Sequence, residues 1–252
     1  MRQGCLLNDH HKEGVLALFS ERLKNWRYAW DPKLGNRRDR FYAHFDMWIN
    51  DHGFSRVLHA NRHIICKRAD LFAERSAHPT PMQVRKAANR GIKTIVNLRG
   101  EHILGASLLS KEAADKSGIA TRYLKLRSRD APEVETILEA KRLFDEIEYP
   151  VLFHCKSGAD RAGLAAALFV LLKMNGSAGQ ALKQLSLRYG HIRQAKTGLL
   201  DKFLENYRAF NHKQPIDFLD WVQNHYDREQ VRALYKPRNF ANFSVDVLLR
   251  RE

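Results

Sequence analysis

The stretch that most constrains this chain is VLFHCKSGADRAG, residues 151–163, where a Cys and an Arg stand six positions apart between an apolar strand and an apolar helix. A short loop from Cys155 to Arg161 can turn its backbone N–H groups inward, and the helix that follows adds the positive end of its dipole. The same field favours the thiolate form of the cysteine, which is its nucleophilic form. The pattern therefore predicts a loop that holds a phosphate against a nucleophile.

The residues inside this loop suit close contact with a phosphate. Arg161 carries a planar guanidinium that can bond two phosphate oxygens at once, a geometry that a lysine cannot reproduce. The small residues of the loop let its backbone approach the phosphate closely. The expected phosphate-binding residues are Lys156, Ser157, Gly158, Ala159, Asp160 and Arg161.

Length and composition limit the class of protein. The chain has 252 residues, 44% hydrophobic and 28% charged, which is typical of one soluble globular domain with extensions. The longest apolar run, residues 164–172, is far shorter than the roughly 20 residues that a membrane-spanning helix needs. The N-terminus lacks the apolar stretch of a secretory signal, and a thiolate nucleophile needs a reducing compartment. We therefore expect a cytoplasmic protein, with a peripheral position at the inner membrane surface as a further option.

The chain is strongly basic. The 43 Lys and Arg residues against 28 Asp and Glu residues give a net charge of +15, which favours polyanionic partners. An anionic membrane, a polyphosphorylated substrate and nucleic acid all fit this charge, and so does a solvated surface without a partner. Nucleic acid is disfavoured, because the sequence has no RNA-binding sheet motif and no zinc-finger spacing.

Strand and helix patterns alternate along the middle of the chain. Strands are predicted at residues 62–67, 93–98, 120–126 and 151–153. Helices are predicted at residues 81–90, 107–116, 132–148, 162–174, 177–188 and 198–211. This order indicates an α/β fold with a largely parallel central sheet that is flanked by helices.

Composition divides the chain into three regions. Residues 1–62 mix aromatic and basic residues, which predicts a helical or irregular extension that packs on the domain, with a membrane interface as the alternative. Residues 63–212 form the predicted catalytic domain. Residues 213–252 form a predicted helical tail, in which IDFLDWVQNHY has the spacing of an amphipathic helix that docks on the domain.

Three segments carry a resemblance to a known family: HCKSGADRAG at residues 154–163, NLRGE at residues 97–101 and QLSLRYGH at residues 184–191. With them, the chain from about residue 64 to residue 207 resembles the compact, dual-specificity-type bacterial branch of the cysteine-dependent protein tyrosine phosphatase superfamily. The resemblance implies a dual-specificity phosphatase-like fold and a phosphocysteine on Cys155 that water later hydrolyses. It also implies that His154 supports the thiolate.

The resemblance also implies the partners. The expected substrate is a phosphotyrosine or other phosphoprotein, or an anionic phospholipid, and peripheral association with an anionic membrane is a further option. No cofactor is expected, and no metal is expected either, because the histidine pairs of the sequence lack the spacing of a metal site. Some members of the family protect their nucleophile with a reversible disulfide to a neighbouring cysteine, and Cys66 is the candidate here.

The resemblance leaves the proton donor open. The family uses an Asp on a loop near the signature, and Asp130 fits that placement. Asp160 is the alternative, because phosphoinositide phosphatases of the myotubularin and Sac types carry an Asp at the corresponding place; it could instead orient Arg161 or brace the loop. Where most relatives have Ser or Thr after the Arg, this chain has Ala162. That departure keeps a slow or inactive phosphate-binding pseudophosphatase as the alternative function, unless Ser157 compensates.

The strand ends predict a charged rim around Cys155. In open α/β sheets, ligands bind at the carboxyl ends of the strands, so the loops after neighbouring strands should face the Cys loop. The residues expected there are Arg99, Glu101, His102, Arg127, Arg129 and Asp130.

Overall fold

A five-stranded sheet forms the centre of the part of the chain that the computed structural model describes, residues 34–48, 62–101 and 104–236. Its strands are β1 (His63–Lys67), β2 (Phe72–Ser76), β3 (Thr94–Asn97), β4 (Ala120–Tyr123) and β5 (Val151–His154). In space they are ordered β1-β2-β5-β3-β4, with β1 antiparallel to β2 and the other neighbours parallel. The predicted α/β fold with a largely parallel sheet is confirmed.

Strand β2 was absent from the sequence prediction, because two charged residues interrupt its apolar pattern. Glu74 and Arg75 are both fully buried. The carboxylate of Glu74 accepts hydrogen bonds of 2.5 Å from both Arg62 and Arg90. Since these partners lie on other elements, a hydrophobic pattern read along the sequence cannot show that the charges are compensated.

Nine α-helices surround the sheet within the described residues. They are α1 (Arg37–Asp46), α2 (Pro81–Asn89), α3 (Gly105–Lys116), α4 (Val134–Glu146), α5 (Asp160–Leu172), α6 (Ala178–Leu182), α7 (Leu199–Lys213), α8 (Phe218–Asn224) and α9 (Arg228–Ala233). The start of α2 follows the prediction, because Thr80 and Gln83 form a capping box. Helix α6 is shorter than the predicted 177–188, because the carbonyl of Gln184 accepts a hydrogen bond from Arg75 and the chain then turns.

Side chains on alternate positions of the central strands build two cores. Ile95 of β3 and Leu152 of β5 face α2 and α3, whereas Val96 and Phe153 face the helices on the other side. On that second side, the rings of Phe144, Phe153 and Phe169 pack against one another with centroids 5.4 to 5.7 Å apart. This larger core fixes β5 and α5, the two elements on either side of the Cys loop.

The terminal regions are described in part. Helix α1 packs on α3, and Arg40 of α1 forms an ion pair with Glu112 at 2.8 Å. The rest of the predicted N-terminal extension, residues 1–33 and 49–61, and the last residues of the tail, 237–252, lie outside the described residues. The predicted domain boundaries therefore stay predictions. None of the described helices is long and apolar enough to cross a membrane.

The segment after residue 213 docks on the domain through helix α8. Trp221 is fully buried, and its ring lies 5.9 Å from that of Phe203 and 5.2 Å from those of Tyr207 and Tyr226. Tyr226 in turn donates a hydrogen bond of 2.8 Å to the carbonyl of Pro132, in the loop that follows β4. The chain after residue 213 thus contacts the same edge of the sheet as the predicted site.

Replacing Trp221 with Ala should lower the free energy of unfolding by about 3 to 5 kcal/mol, because a large aromatic side chain is removed from a closed core. The measurement is urea denaturation followed by circular dichroism. Leu234→Ala is the control, since Leu234 is 58% exposed and its truncation should change stability by less than about 1 kcal/mol. A Trp221→Ala effect as small as that of the control would mean that α8 is not docked.

Candidate active site

The Cys loop lies at the carboxyl end of β5, the middle strand of the sheet. Strand β5 ends at His154 and α5 begins at Asp160, so residues 155–159 form the turn between them. Cys155 is buried, with 2% of its surface exposed. Ala159 is the N-cap of α5 and makes no side-chain cap, and the positive end of the helix dipole lies at this end of the loop.

The peptide groups of the loop all point in a consistent direction. The N–H of Gly158 donates to Cys155 Sγ at 3.2 Å, and the N–H of Ala159 donates to Ser157 Oγ at 3.3 Å. The carbonyl of Lys156 points away and accepts from the N–H of His78 at 3.2 Å. The loop therefore turns the N–H of Gly158 toward the sulfur and the carbonyl of Lys156 away from it, which is the arrangement that an oxyanion site needs.

Glycine is required in the middle of this loop. Gly158 has a φ of +76°, and a Cβ at this position would lie 2.6 Å from the backbone nitrogen of Ala77. The close approach joins the loop to the end of β2. Small residues were predicted to let the loop backbone approach a phosphate; for Gly158 the structure gives a different requirement, close contact with the backbone of Ser76 and Ala77 on the underside of the loop.

Beneath the loop lies Arg75, which the sequence reasoning missed. Its Nη2 donates to the carbonyls of Gly158 and Ala159 at 2.8 and 2.7 Å, and its Nη1 donates to the carbonyl of Gln184 at 2.7 Å. Burial lowers the pKa of Arg75 to about 10, against the opposing effect of Cys155, so the side chain is charged at neutral pH. No pattern in the sequence distinguishes this arginine, because its partners follow it by 83 to 109 residues.

Asp160 belongs to a buried row of charges. Its Oδ1 lies 2.7 Å from His191 Nδ1, and Nε2 of the same ring lies 2.7 Å from Asp201 Oδ2. Burial alone would lower the pKa of His191, but the hydrogen bonds to both carboxylates outweigh it and raise that pKa to about 9. The imidazole is therefore protonated at neutral pH, and Asp160 is engaged in holding it.

Asp130 lies on the loop after β4 and is held by arginines of helix α9. Its carboxylate accepts from Arg228 Nη2 and Arg232 Nη2, both at 2.6 Å, and Arg127 lies 3.4 Å away. Burial raises the pKa of Asp130, but hydrogen bonding to Arg232 and the charges of both α9 arginines lower it further than burial raises it. Arg228 Nε also donates to the carbonyl of Ala131 at 3.0 Å. Asp130 is ionised in this arrangement.

The two candidate proton donors therefore differ in surroundings. Asp160 is 3% exposed and closed in by His191, whereas Asp130 lies on a loop at the rim with surface arginines as partners. Sequence reasoning named both residues but missed His191, Asp201, Arg228 and Arg232. His191 was visible only as the last residue of the QLSLRYGH segment.

The loops after β3 and β4 meet at the same edge of the sheet as the Cys loop. Arg99 forms an isolated bridge with Lys125, and its N–H donates to Asn97 Oδ1 at 3.0 Å. The side chain of Arg127 is 63% exposed. Lys156 and Arg161 are half-buried. The partly or largely exposed basic residues at this edge are Arg127, Lys156 and Arg161, whereas Arg99 is buried and His102 lies outside the described residues. The rim around Cys155 stays a prediction.

His154 lies in a buried column rather than on the surface. Its ring stacks on that of His78 with centroids 4.9 Å apart, and His78 Nε2 lies 3.1 Å from Ser110 Oγ. Its main-chain carbonyl accepts from the N–H of Leu98 at 2.9 Å. These contacts suit the positional role that was predicted for His154. Ala162, next to Arg161, is fully buried.

The register of the sheet separates Cys66 from the nucleophile. Cys66 pairs with Ala73, and Ala73 pairs with Val151, which precedes Cys155 by four residues. Four residues of strand span about 13 Å, whereas the two Cα atoms of a disulfide lie within about 7 Å. The two cysteines are free, and a disulfide between them is incompatible with this fold. Within the described residues, no cluster of His, Cys, Asp and Glu could hold a metal ion.

Comparison with known proteins finds one family model that matches part of the chain. Residues 72–175 match the family model described as "Tc-R-P: Polymorphic toxin system, DSP-PTPase phosphatase". The chain is also similar in structure to TpbA of P. aeruginosa (18% identity, 64% of this chain and 84% of that chain, TM-score 0.44). Tk-PTP in its active form is a second similar structure (24% identity, 56% of this chain and 94% of that chain, TM-score 0.44). The core catalytic domain of the PP-IP phosphatase SIW14 of S. cerevisiae is a third (16% identity, 58% of this chain and 91% of that chain, TM-score 0.42). No curated protein matches the chain.

His191 makes a pH-dependent contribution to stability. Because its folded pKa is raised from 6.5 to about 9, the contribution is complete below pH 6.5 and is lost as the pH rises through 9. A shift of this size corresponds to on the order of 3 kcal/mol of unfolding free energy. Denaturation between pH 6 and pH 10 should show that loss in the wild type and not in His191→Gln. His212→Gln, an exposed histidine of α7, should keep the wild-type curve; a wild type whose stability is flat over this range would contradict the assignment.

Proposed function

We propose that this chain, which carries a phosphatase domain of the cysteine-dependent, dual-specificity type at residues 72–175, hydrolyses phosphate monoesters through a phosphocysteine on Cys155. The observation that carries the proposal is the orientation of the loop, in which the N–H of Gly158 points to the sulfur of Cys155 and the carbonyl of Lys156 points away to His78. The N-terminus of α5 adds the positive end of the helix dipole to the loop.

The first chemical step transfers the phosphoryl group to the protein. The loop N–H groups and Arg161 bind the three peripheral oxygens of the phosphate, and Cys155 Sγ attacks the phosphorus from below. The bond from sulfur to phosphorus forms as the bond from phosphorus to the leaving oxygen breaks. That oxygen takes a proton from a carboxylic acid and departs as an alcohol or phenol.

The second step releases phosphate. The carboxylate left by the first step removes a proton from water, whose oxygen attacks the phosphorus and displaces the thiolate of Cys155. Inorganic phosphate leaves, and the carboxylic acid is regenerated. Ser157 Oγ lies inside the loop, where it accepts from the N–H of Ala159, and it is the hydroxyl available to assist the departing thiolate where Ala162 has none.

Asp130 is the better supported proton donor. Asp160 would have to break a buried contact with His191 to reach a leaving group, and that contact closes its carboxylate off from solvent. Asp130 is on the loop after β4, where its partners are the surface arginines Arg228 and Arg232. We infer that substrate binding exchanges these arginines for the leaving oxygen, and that Asp160 braces the start of α5.

A phosphotyrosine or other phosphoprotein is the proposed substrate. The basic residues at the edge of the sheet where the Cys loop lies, Arg127, Lys156 and Arg161, favour a phosphate that lies beside further negative charge. TpbA, one of the similar structures, was solved in complex with pTyr. The thiolate nucleophile favours action in a reducing, cytoplasmic compartment, and the matched family model belongs to polymorphic toxin systems.

An anionic phospholipid is the second candidate substrate, and one observation favours it. Helix α1 exposes Phe41 and Phe45, whose rings stack 6.5 Å apart, and Trp48 follows with 59% of its surface exposed. Arg38 lies over the ring of Tyr42 on the same helix. Aromatic and basic side chains in this combination suit a membrane interface, so peripheral association with an anionic membrane is proposed with this candidate.

Cys155→Ser should reduce phosphate release from p-nitrophenyl phosphate by about 10⁴-fold or more, because no other group can form the covalent intermediate. Cys66→Ala is the matched control, a buried cysteine at the other end of the sheet, and it should keep activity. The same assay with phosphotyrosine peptides and with phosphoinositide vesicles ranks the substrates by kcat/KM. Tight binding of phosphopeptide by the wild type without any release would favour a pseudophosphatase instead.

Asp130→Asn should slow hydrolysis of phenyl phosphate by about 10²-fold and of p-nitrophenyl phosphate by only a few-fold, because a poor leaving group needs the proton more. The measurement is kcat for both esters. Asp145→Asn is the control, since Asp145 is also held by two cations, Lys141 of its own helix α4 and Lys173 at the end of α5. The same dependence on the leaving group in Asp160→Asn, with Asp130→Asn unaffected, would assign the proton donor to Asp160.

A further inference from the structure

We propose that Arg75 is a positioning residue for oxyanion binding: its guanidinium holds the carbonyls of the Cys loop on the underside, so that the N–H groups face the phosphate. The inference rests on the proposed function, because it assigns a role in the same loop. Arg75 is on β2, a different strand from the one that leads into the loop, and it contacts the loop from beneath.

The geometry of the peptide group carries the first step. In a trans peptide the C=O and N–H bonds point in opposite directions. Arg75 Nη2 bonds the carbonyls of Gly158 and Ala159, so the N–H groups of Ala159 and Asp160, which complete those two peptides, are turned to the other side. The contact from the N–H of Ala159 to Ser157 Oγ agrees with this direction.

A fixed direction matters because carbonyl oxygens repel an anion. A loop of small residues with a glycine at positive φ is free to turn its peptides either way. The carbonyl of Ala159 also accepts from the N–H of Gly163 at 3.0 Å, so the helix already fixes that peptide. The buried cation fixes the peptide between Gly158 and Ala159 in one orientation, so the free energy of turning its N–H inward is part of folding and does not weaken substrate binding. Preorganised donors of this kind are a large contribution to oxyanion stabilisation.

The surroundings of Arg75 require a guanidinium. Three carbonyls on two different segments are bonded by its two terminal nitrogens, which a single ammonium on a flexible stem cannot span in the same way. The guanidinium lies 4.5 Å from the ring centroid of Tyr189. Gly163 of α5 leaves the space, because a Cβ there would lie 3.2 Å from Arg75 Nη2.

Arg75 is also one of several charges near the nucleophile. The loop itself contributes Lys156 and Arg161, and the start of α5 contributes Asp160, whose charge is balanced by His191. Arg75 approaches from the underside and interacts electrostatically with Cys155. Its charge and its hydrogen bonds therefore act on two different properties, the reactivity of the Cys155 sulfur and the direction of the loop peptides.

The experiment separates these two properties with Arg75→Lys and Arg75→Gln. Calorimetric titration with inorganic tungstate measures oxyanion affinity, and the rate of Cys155 alkylation by neutral iodoacetamide at pH 6 measures the reactivity of the sulfur. Both variants should bind tungstate about tenfold more weakly or worse, because hydrogen bonds to the loop carbonyls are lost. Arg75→Lys keeps the charge and should be alkylated within about twofold of the wild-type rate, whereas Arg75→Gln should be alkylated about tenfold more slowly.

Arg90→Gln is the matched control. Arg90 donates to Glu74, the neighbour of Arg75 on β2, and not to the Cys loop. The tungstate affinity and the alkylation rate of Arg90→Gln should therefore stay at the wild-type values. A folded Arg75→Gln with wild-type tungstate affinity would overturn the proposal. If neither Arg75 variant folds, Tyr189→Leu tests the proposal instead, because the half-buried ring of Tyr189 packs against the Arg75 guanidinium. This variant should bind tungstate several-fold more weakly, and an unchanged tungstate affinity would overturn the proposal.

Neither the tungstate affinity nor the alkylation rate depends on phosphate release by the protein. A failure of the proposed function would show as tungstate binding without phosphate release by the wild type. A failure of the present inference would show as release that is normal in the wild type and oxyanion binding that is insensitive to Arg75.

Discussion

The orientation of the peptide groups in residues 155–160 is the constraint on which the rest of the site depends. A loop that bends around an anion must turn its N–H groups inward, and its carbonyls must then find partners on the outside. The fold supplies them from β2 and the turn beyond it: His78 for the carbonyl of Lys156, and Arg75 for those of Gly158 and Ala159. Parallel pairing of β5 with β2 brings these donors under the loop.

The buried charged residues next to the Cys loop lie beside residues of opposite charge. Asp160, His191 and Asp201 form one row, with the protonated imidazole between two carboxylates. Taking these groups out of water is costly, and removal of one member would leave its partner unpaired in the interior. The row therefore specifies a geometry: it fixes the first residue of α5 to the segment at His191 and to the start of α7, so the loop and its helix cannot shift independently.

The sequence predicts the part of the site that is local and leaves out the part that is not. The strand, loop and helix around Cys155 are adjacent in the chain, so residue type and spacing were enough to predict them. Arg75 reaches partners 83 to 109 residues away, and Asp130 reaches Arg232 across 102 residues. For the same reason β2 was not predicted: its charged residues are buried by contacts that only the folded chain creates.

These long-range contacts also define the extent of the functional unit. The segment that matches the family model ends at residue 175, yet the partners of both candidate proton donors lie beyond it: His191 contacts Asp160, and Arg228 and Arg232 contact Asp130. Asp201, which holds the other side of the His191 ring, lies beyond it too. Helix α9 holds Asp130 through its arginines and packs on α7, and its buried Val231 belongs to the same core as Trp221 of α8. A chain cut at the end of the matched segment would keep the nucleophile and the phosphate loop. It would lose the contacts that set the charge and position of both carboxylates, so the chemistry assigned to this loop belongs to the fold as far as residue 233.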